Sequence, residues 1–248
     1  MAGQTAATAP AEYLDVSPTA LAQDLLVACK CGEATDRDRA ALAALDDSAL
    51  RPLRENRRTA LAFWLNCYNA GTQLLLRERP GLYESQLRFF RFFWAPVLTV
   101  GGTSLSLDRI ENGLLRGGRS KYGLGYLPKL LVSAFEHRYR LADCDPRIHF
   151  ALNCGAESCP AIRAYEPDQV DEQLDLATRS YLASTVAYDP DKNVVRVPRV
   201  FLWFRGDFGG ASGIRAFLRE YDAIPGDSTP KIRHLSWDWT KATGKFAE

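Results

Sequence analysis

Apolar residues recur every three to four positions over much of this chain and alternate at period two only in short stretches. The pattern predicts a mainly helical protein with a few strands. The strongest helical run is TALAFWLNCYNAGTQLLLRER, Thr59 to Arg79, where Leu61, Phe63, Trp64, Leu65, Cys67, Tyr68, Leu74 and Leu75 lie nearly all round. A helix apolar on every side is buried on several. Asn66, Asn69 and Gln73 fall at i, i+3 and i+7 and share one face of it. A buried amide left without a partner costs about 1–3 kcal/mol, so these side chains either bond neighbouring loops or line a pocket. Pro80-Gly81 closes the helix.

Other elements follow in order. Ser17 caps a helix with Pro18 at its first position, and Cys31-Gly32 ends it. Thr35 or Asp36 caps a second helix, and Asp46 or Asp47 a third leading towards Asn56. LRFFRFFWAP reads as helical. Val97 to Ser106 reads as a hairpin turning at Gly101-Gly102. Ser106 or Asp108 caps SLDRIENGLLR, a helix whose Glu111 lies beside its apolar stripe. Residues 147 to 153 alternate, with Ile148, Phe150 and Leu152 on one face and His149 and Asn153 on the other, which predicts a strand. A helix from Asp168 to about Ser184, a hairpin around Asp189-Pro190-Asp191, a helix through Ile214, Phe217 and Leu218, and a last strand in KIRHLSWDWT complete the pattern.

Composition narrows the class. With 46% apolar and 25% charged residues the chain fits a globular protein and excludes collagen-like, coiled-coil and disordered classes. A formal charge of +1 gives no electrostatic footprint for nucleic acid. The first fifteen residues lack a secretory pattern, and charges break every apolar run before membrane-spanning length. These features predict a cytoplasmic protein without nucleic-acid or membrane partners, in which six cysteines serve as thiols rather than as a disulfide framework.

Candidate chemistry concentrates in DPRIHFALNCGAESCP, Asp145 to Pro160, which gathers one of three histidines, two cysteines, an Asn, a Glu and a Ser. A thiol becomes a useful nucleophile when an imidazole or helix N-terminus stabilises its thiolate, and a strand with a returning loop would bring His149 to Cys159. Glu111, Asn66 or Asn69 would then orient the imidazole. His149, Cys154 and Cys159 are also all zinc-ligand types, although no second cysteine pair completes four ligands. A third reading leaves His149 and Asn153 bonded to each other and to the loop while the cysteines pack.

Three blocks carry a resemblance to a known family: AFWLNCYNA (62–70), GGTSLSLDRIENGLLR (101–116) and DPRIHFALNCGAESCPAIRAY (145–165). In that order and spacing, with RGDFGG at 205–210, they resemble the domain of unknown function 547 family over about 55–240. The resemblance points to Asn66, Tyr68, Asn69, Glu111, His149, Cys154, Gly155 and Cys159. Cys67 stands where the family pattern often has an aliphatic residue. Plant members vary at the places of His149 and Cys159, which favours Cys154 with the Asn and Glu residues as the shared core.

The expected architecture is a loose arm at 1–15 and one α+β domain over 16–248. In it a helical N-terminal part packs on a small, largely antiparallel sheet made of the two hairpins, the 147–153 strand and the last strand. The expected activity is a thiol-dependent hydrolase or acyl transferase acting on an amide or ester of a small molecule or peptide, without a cofactor. Cys159 is its nucleophile and His149 its base. Glu111 or helix amides orient the reaction and stabilise the oxyanion, and Cys154 is the rival thiol. Asn66, Tyr68, Asn69 and Asn153 would bind substrate. The competing expectations are a non-catalytic interaction module with a structural polar cluster, and a His/Cys zinc site.

Overall fold

The computed structural model describes residues 17–84 and 89–247; the arm expected at 1–15 lies outside them. The helices are α1 (Pro18–Cys31), α2 (Asp36–Ala44), α3 (Pro52–Glu55), α4 (Arg57–Glu78), α5 (Gly81–Glu84), α6 (Phe89–Trp94), α7 (Ala134–Tyr139), α8 (Val170–Thr185), α9 (Val200–Trp203) and α10 (Gly210–Glu220). Local chemistry starts and stops the first of them. Ser17 Oγ accepts from the Ala20 N–H at 3.2 Å, and Gly32 ends α1 at φ 72°, a left-handed conformation that glycine adopts without penalty. Asn56 caps α4 through the N–H groups of Arg58 and Thr59. From Ala60 to Leu76 every residue of α4 is buried, so this helix forms the axis of the molecule. α1 packs along it.

The strands form two small sheets rather than the single sheet expected. In the first, β1 (Pro96–Val100) pairs antiparallel with β2 (Thr103–Ser106) through the Gly101-Gly102 turn, whose φ angles of 53° and 71° match a tight hairpin. In the second, β3 (Ala187–Asp189) pairs antiparallel with β4 (Val194–Val197), and β5 (Lys231–His234) lies parallel to β4. The connection from β4 to β5 contains α9 and α10, as a parallel pair requires. The architecture is α+β, and among the described residues no helix is long and apolar enough to cross a membrane.

The strand expected at 147–153 is absent. Pro146–Phe150 is a turn of 3-10 helix, and residues 152–154 continue as irregular chain. Asp145 caps the turn by accepting from the Arg147 N–H at 3.0 Å, and Pro146 occupies the first helical position, where its missing donor costs nothing. The alternation that mimicked a strand has another origin. Ile148 enters the apolar cluster around α4, while Phe150 enters a second cluster with Phe201, Phe208 and Phe217. The segment is wedged between two cores, and apolar residues are needed on both sides.

Candidate functional site

Amides of α4 hold the segments that carry the site. Asn69 donates to the Ala151 carbonyl at 3.1 Å and accepts from the Asn153 N–H at 3.0 Å. One turn earlier, Asn66 donates to the Tyr165 carbonyl at 2.8 Å and accepts from its N–H at 2.9 Å. Asn153 in turn donates to the Pro160 carbonyl at 2.7 Å and accepts from the Gly155 N–H at 2.8 Å. Each of the three amides is therefore bonded through both its oxygen and its nitrogen to backbone. These are the loop partners that a shared amide face on α4 allowed for.

The loop so held brings Cys154 and Cys159 together. Their sulfurs lie 2.9 Å apart, and the Cys154 N–H donates to Cys159 Sγ at 3.2 Å. Gly155, at φ 88°, turns the chain between them in a left-handed conformation that calls for glycine, and a Cβ there would displace the Leu76 side chain, 2.7 Å away. Burial of Cys159 opposes ionisation, but hydrogen bonds from the Cys154 thiol and from the N–H groups of Cys154 and Ala156, with Lys245 nearby, draw its pKa below the ordinary thiol value. Cys154 moves the opposite way, because its proton is held in the bond to Cys159 and it too is buried. The pair is polarised, and Cys159, which accepts the Cys154 N–H, is the sulfur better able to carry charge.

Beside the thiols stands Glu111. It lies in a π-helix, Arg109–Leu115, whose wide turn is marked by the Arg116 N–H bonding back to the Glu111 carbonyl at 2.9 Å. Tyr68 donates its hydroxyl to Glu111 Oε2 at 3.3 Å. Burial pushes the Glu111 carboxyl up to about 7, against the lowering effect of Arg116, and its charge in turn raises the pKa of Cys154. Burial also holds Tyr68 protonated, with the neighbouring Glu111, Cys154 and Cys159 adding to the effect.

Beyond Glu111 the polar cluster continues to His149. Arg116 and Asp207 form a buried pair, with Nε to Oδ2 at 2.6 Å and Nη2 to Oδ1 at 3.1 Å. His149 Nε2 lies 2.9 Å from the same Asp207 Oδ2, and its ring stacks on Phe204 at 4.0 Å. Burial lowers the imidazole pKa despite that carboxylate, so the ring is neutral near pH 7. Although burial opposes it, the bonds from His149 and Arg116 hold Asp207 down to about 2. Among the described residues neither Cys154 nor Cys159 hydrogen-bonds to the His149 ring, so the expected Cys–His contact is not made. The 3-10 turn aims the ring at Asp207 instead.

Asp207 and Arg116 were given no role from the sequence alone. A signal lay in RGDFGG: a Cβ on Gly206 would sit 2.5 Å from the carbonyl carbon of Gly125, so only glycine lets these loops cross and place Asp207. Nor does the zinc alternative find its ligands, since Cys154 and Cys159 do not group with His149. Among the described residues, the group of metal-ligand types is Cys144, His149 and Asp207, with atoms within 4.8 Å of one another. There both Asp207 oxygens bond Arg116, and burial with the Asp207 charge keeps the Cys144 thiol protonated. A cation would have to displace the guanidinium.

The chain past Leu235 covers the thiol loop. The Glu157 N–H bonds to the Thr240 carbonyl at 2.8 Å, the Ala242 N–H to the Gly155 carbonyl at 2.8 Å, and the Asp238 N–H to Ser158 Oγ at 2.8 Å. Tyr83 fastens the same strap through the Trp239 carbonyl at 3.2 Å, and Lys241 pairs with Glu84. Cys159 is 3% exposed and Cys154 half-buried beneath it.

Fold and site together define an α+β protein in which a strap-covered thiol pair lies beside a buried carboxyl. The family model described as protein of unknown function, DUF547, matches residues 52–182, and the chain belongs to that family. The match takes in α4, the π-helix and the whole thiol loop. No curated protein and no solved structure matches the chain.

Proposed function

We propose that the chain is a thiol-dependent hydrolase or acyl transferase acting on an amide or ester, with Cys159 as nucleophile. The observation that carries this reading is the Cys154 N–H donated to Cys159 Sγ at 3.2 Å, with the Cys154 sulfur in contact at 2.9 Å. Both stabilise a thiolate there. In the acylation step the Cys159 sulfur bonds to the carbonyl carbon and the C–N or C–O bond breaks. The leaving group takes a proton from Glu111, whose pKa of about 7 suits it to give and recover protons near neutrality. Water then attacks the thioester carbonyl and gives a proton back to Glu111, the C–S bond breaks, and Cys159 leaves as the thiolate with the acid released; an acceptor nucleophile in place of water makes the reaction a transfer.

Roles shift from those expected at two places. His149, bonded to Asp207, becomes a positioning residue rather than the base. Asn66, Asn69 and Asn153, with both ends of each amide bonded to backbone, position the loop rather than bind substrate. Tyr68 remains beside the reacting groups through Glu111. A nucleophilic thiol must be kept reduced, which suits the cytoplasmic location expected from the sequence.

The test is an acyl trap. Wild type and Cys159→Ala are incubated with a panel of activated esters and anilides and analysed by intact mass and peptide mapping. An acyl group on Cys159 of wild type, absent from the variant, is expected. Acyl groups found only on the exposed Cys31, or equally on both proteins, overturn the reading.

A further inference from the structure

We infer that Cys154 and Cys159 form a peroxide-responsive dithiol, a site of reversible modification that converts the nucleophile into a disulfide. The inference rests on the thiol reading above only for what it switches off; the cross-link itself rests on geometry. The two sulfurs are 2.9 Å apart, and less than about 1 Å of further approach reaches the disulfide bond length of about 2.05 Å. Their closeness is built in. Gly155 turns the loop, the Cys159 N–H returns to the Ala156 carbonyl at 3.0 Å, and Asn153 fastens both arms through the Gly155 N–H and the Pro160 carbonyl.

The asymmetry of the pair assigns the two roles that such chemistry needs. Cys159, the sulfur receiving hydrogen bonds, attacks a hydroperoxide: an S–O bond forms, the O–O bond breaks, and water or an alcohol leaves. The product is a sulfenic acid on Cys159. Cys154, already in contact, then attacks that sulfur: the S–S bond forms, the S–O bond breaks, and the Cys154 proton leaves with the hydroxyl as a second water. Two thiols and one peroxide thus give one disulfide, and a low-molecular-weight thiol reverses it by exchange. With Cys159 in the disulfide, no thiolate is available for attack on a carbonyl.

Other free thiols provide a contrast within the same molecule. Cys67 is fully buried, Cys29 is pushed up to about 11 mainly by burial, and Cys144 is held protonated by burial and the Asp207 charge. None of them bonds to a second cysteine among the described residues. Cys31 is exposed, but no second cysteine bonds to it among the described residues, so disulfide formation is directed to a single loop.

The experiment treats the full chain with stoichiometric hydrogen peroxide, blocks remaining thiols with an alkylating reagent, and maps the tryptic peptide Ile148–Arg163, which contains both cysteines. The expected product is a peptide lighter by two hydrogens and carrying no alkyl group, restored to a doubly alkylated form by dithiothreitol. In Cys154→Ser the expected product is a Cys159 sulfenic acid trapped by dimedone, and wild type gives less than about a tenth of that adduct because the disulfide forms first. Wild-type peptide that remains doubly alkylatable, or that gives as much dimedone adduct as Cys154→Ser, overturns the inference. The acyl trap is scored separately: a disulfide without a Cys159 acyl adduct sinks the acyl-transfer reading alone, and an adduct without a disulfide sinks this one alone.

Discussion

His149 Nε2 lies 2.9 Å from Asp207 Oδ2, and that bond, rather than one to a thiol, orients the ring. Asp207 in turn is held by Arg116, and the side chains of both are fully buried. The site is therefore two neighbouring parts: a thiol pair with Glu111 at one end, and an Arg–Asp–His group at the other whose charges act on the Glu111 carboxyl. Removing one member of a buried pair leaves the other charge uncompensated, which costs about 3–5 kcal/mol. Asp207→Asn is expected to lose that much stability in urea titration, and Arg116→Met a similar amount. A loss under 1 kcal/mol for both would show that the pair does not hold the fold.

Glu111 makes stability depend on pH in a direction opposite to that of most carboxylates. Its folded pKa, about 7, lies above the unfolded value, so the native state holds the proton more tightly. Stability is greatest below the unfolded value and falls as pH rises through 4.5 towards 7, by up to about 3 kcal/mol. Glu111→Gln removes this dependence. Its melting temperature is expected to approach that of wild type near pH 5 and to exceed it near pH 8; parallel curves at the two pH values would refute the assignment.

The strap past Leu235 predicts a change in thiol access. A chain ending at Leu235 loses the bonds from Asp238, Thr240 and Ala242 to the thiol loop. If these protect the loop by about 1.4 kcal/mol, alkylation of Cys154 and Cys159 accelerates about tenfold while that of Cys31 is unchanged. Equal acceleration at all three cysteines would indicate general loosening instead.

Asn69→Ala leaves the Ala151 carbonyl and the Asn153 N–H without their side-chain partner, at about 1–3 kcal/mol for each buried group. The expected loss is about 2–5 kcal/mol by thermal or urea unfolding. Because Asn153 holds both arms of the thiol loop, the same variant is expected to slow disulfide formation between Cys154 and Cys159. A destabilised Asn69→Ala that oxidises as fast as wild type would detach the clamp from the chemistry.

Features governed by neighbouring residues were legible in the sequence. Ser17-Pro18 and Gly32 bound α1 as their conformational preferences require, and Gly101-Gly102 turns the first hairpin. The amide face of α4 was legible as a need for partners, though not which ones. Misreading came where one segment serves two cores: Ile148 and Phe150 alternate because each meets a different cluster, and Asp145-Pro146 is the helix start that the alternation concealed. The pairings that organise the site were hidden for another reason. Tyr68 meets Glu111 across 43 positions, His149 meets Asp207 across 58 and Arg116 meets Asp207 across 91, and no local periodicity encodes such distances.

Asp238 reaches back 80 positions to Ser158, so the cover and the loop it covers are made at different times. A ribosome delivers the chain from its N-terminus, and the thiol loop emerges well before the segment that closes over it. During that interval the loop lacks the bonds that Asp238, Thr240 and Ala242 make to Ser158, Glu157 and Gly155. Should the inferred disulfide form before the strap is made, a mild reductant would undo it, whereas over-oxidation of a single sulfur would be permanent.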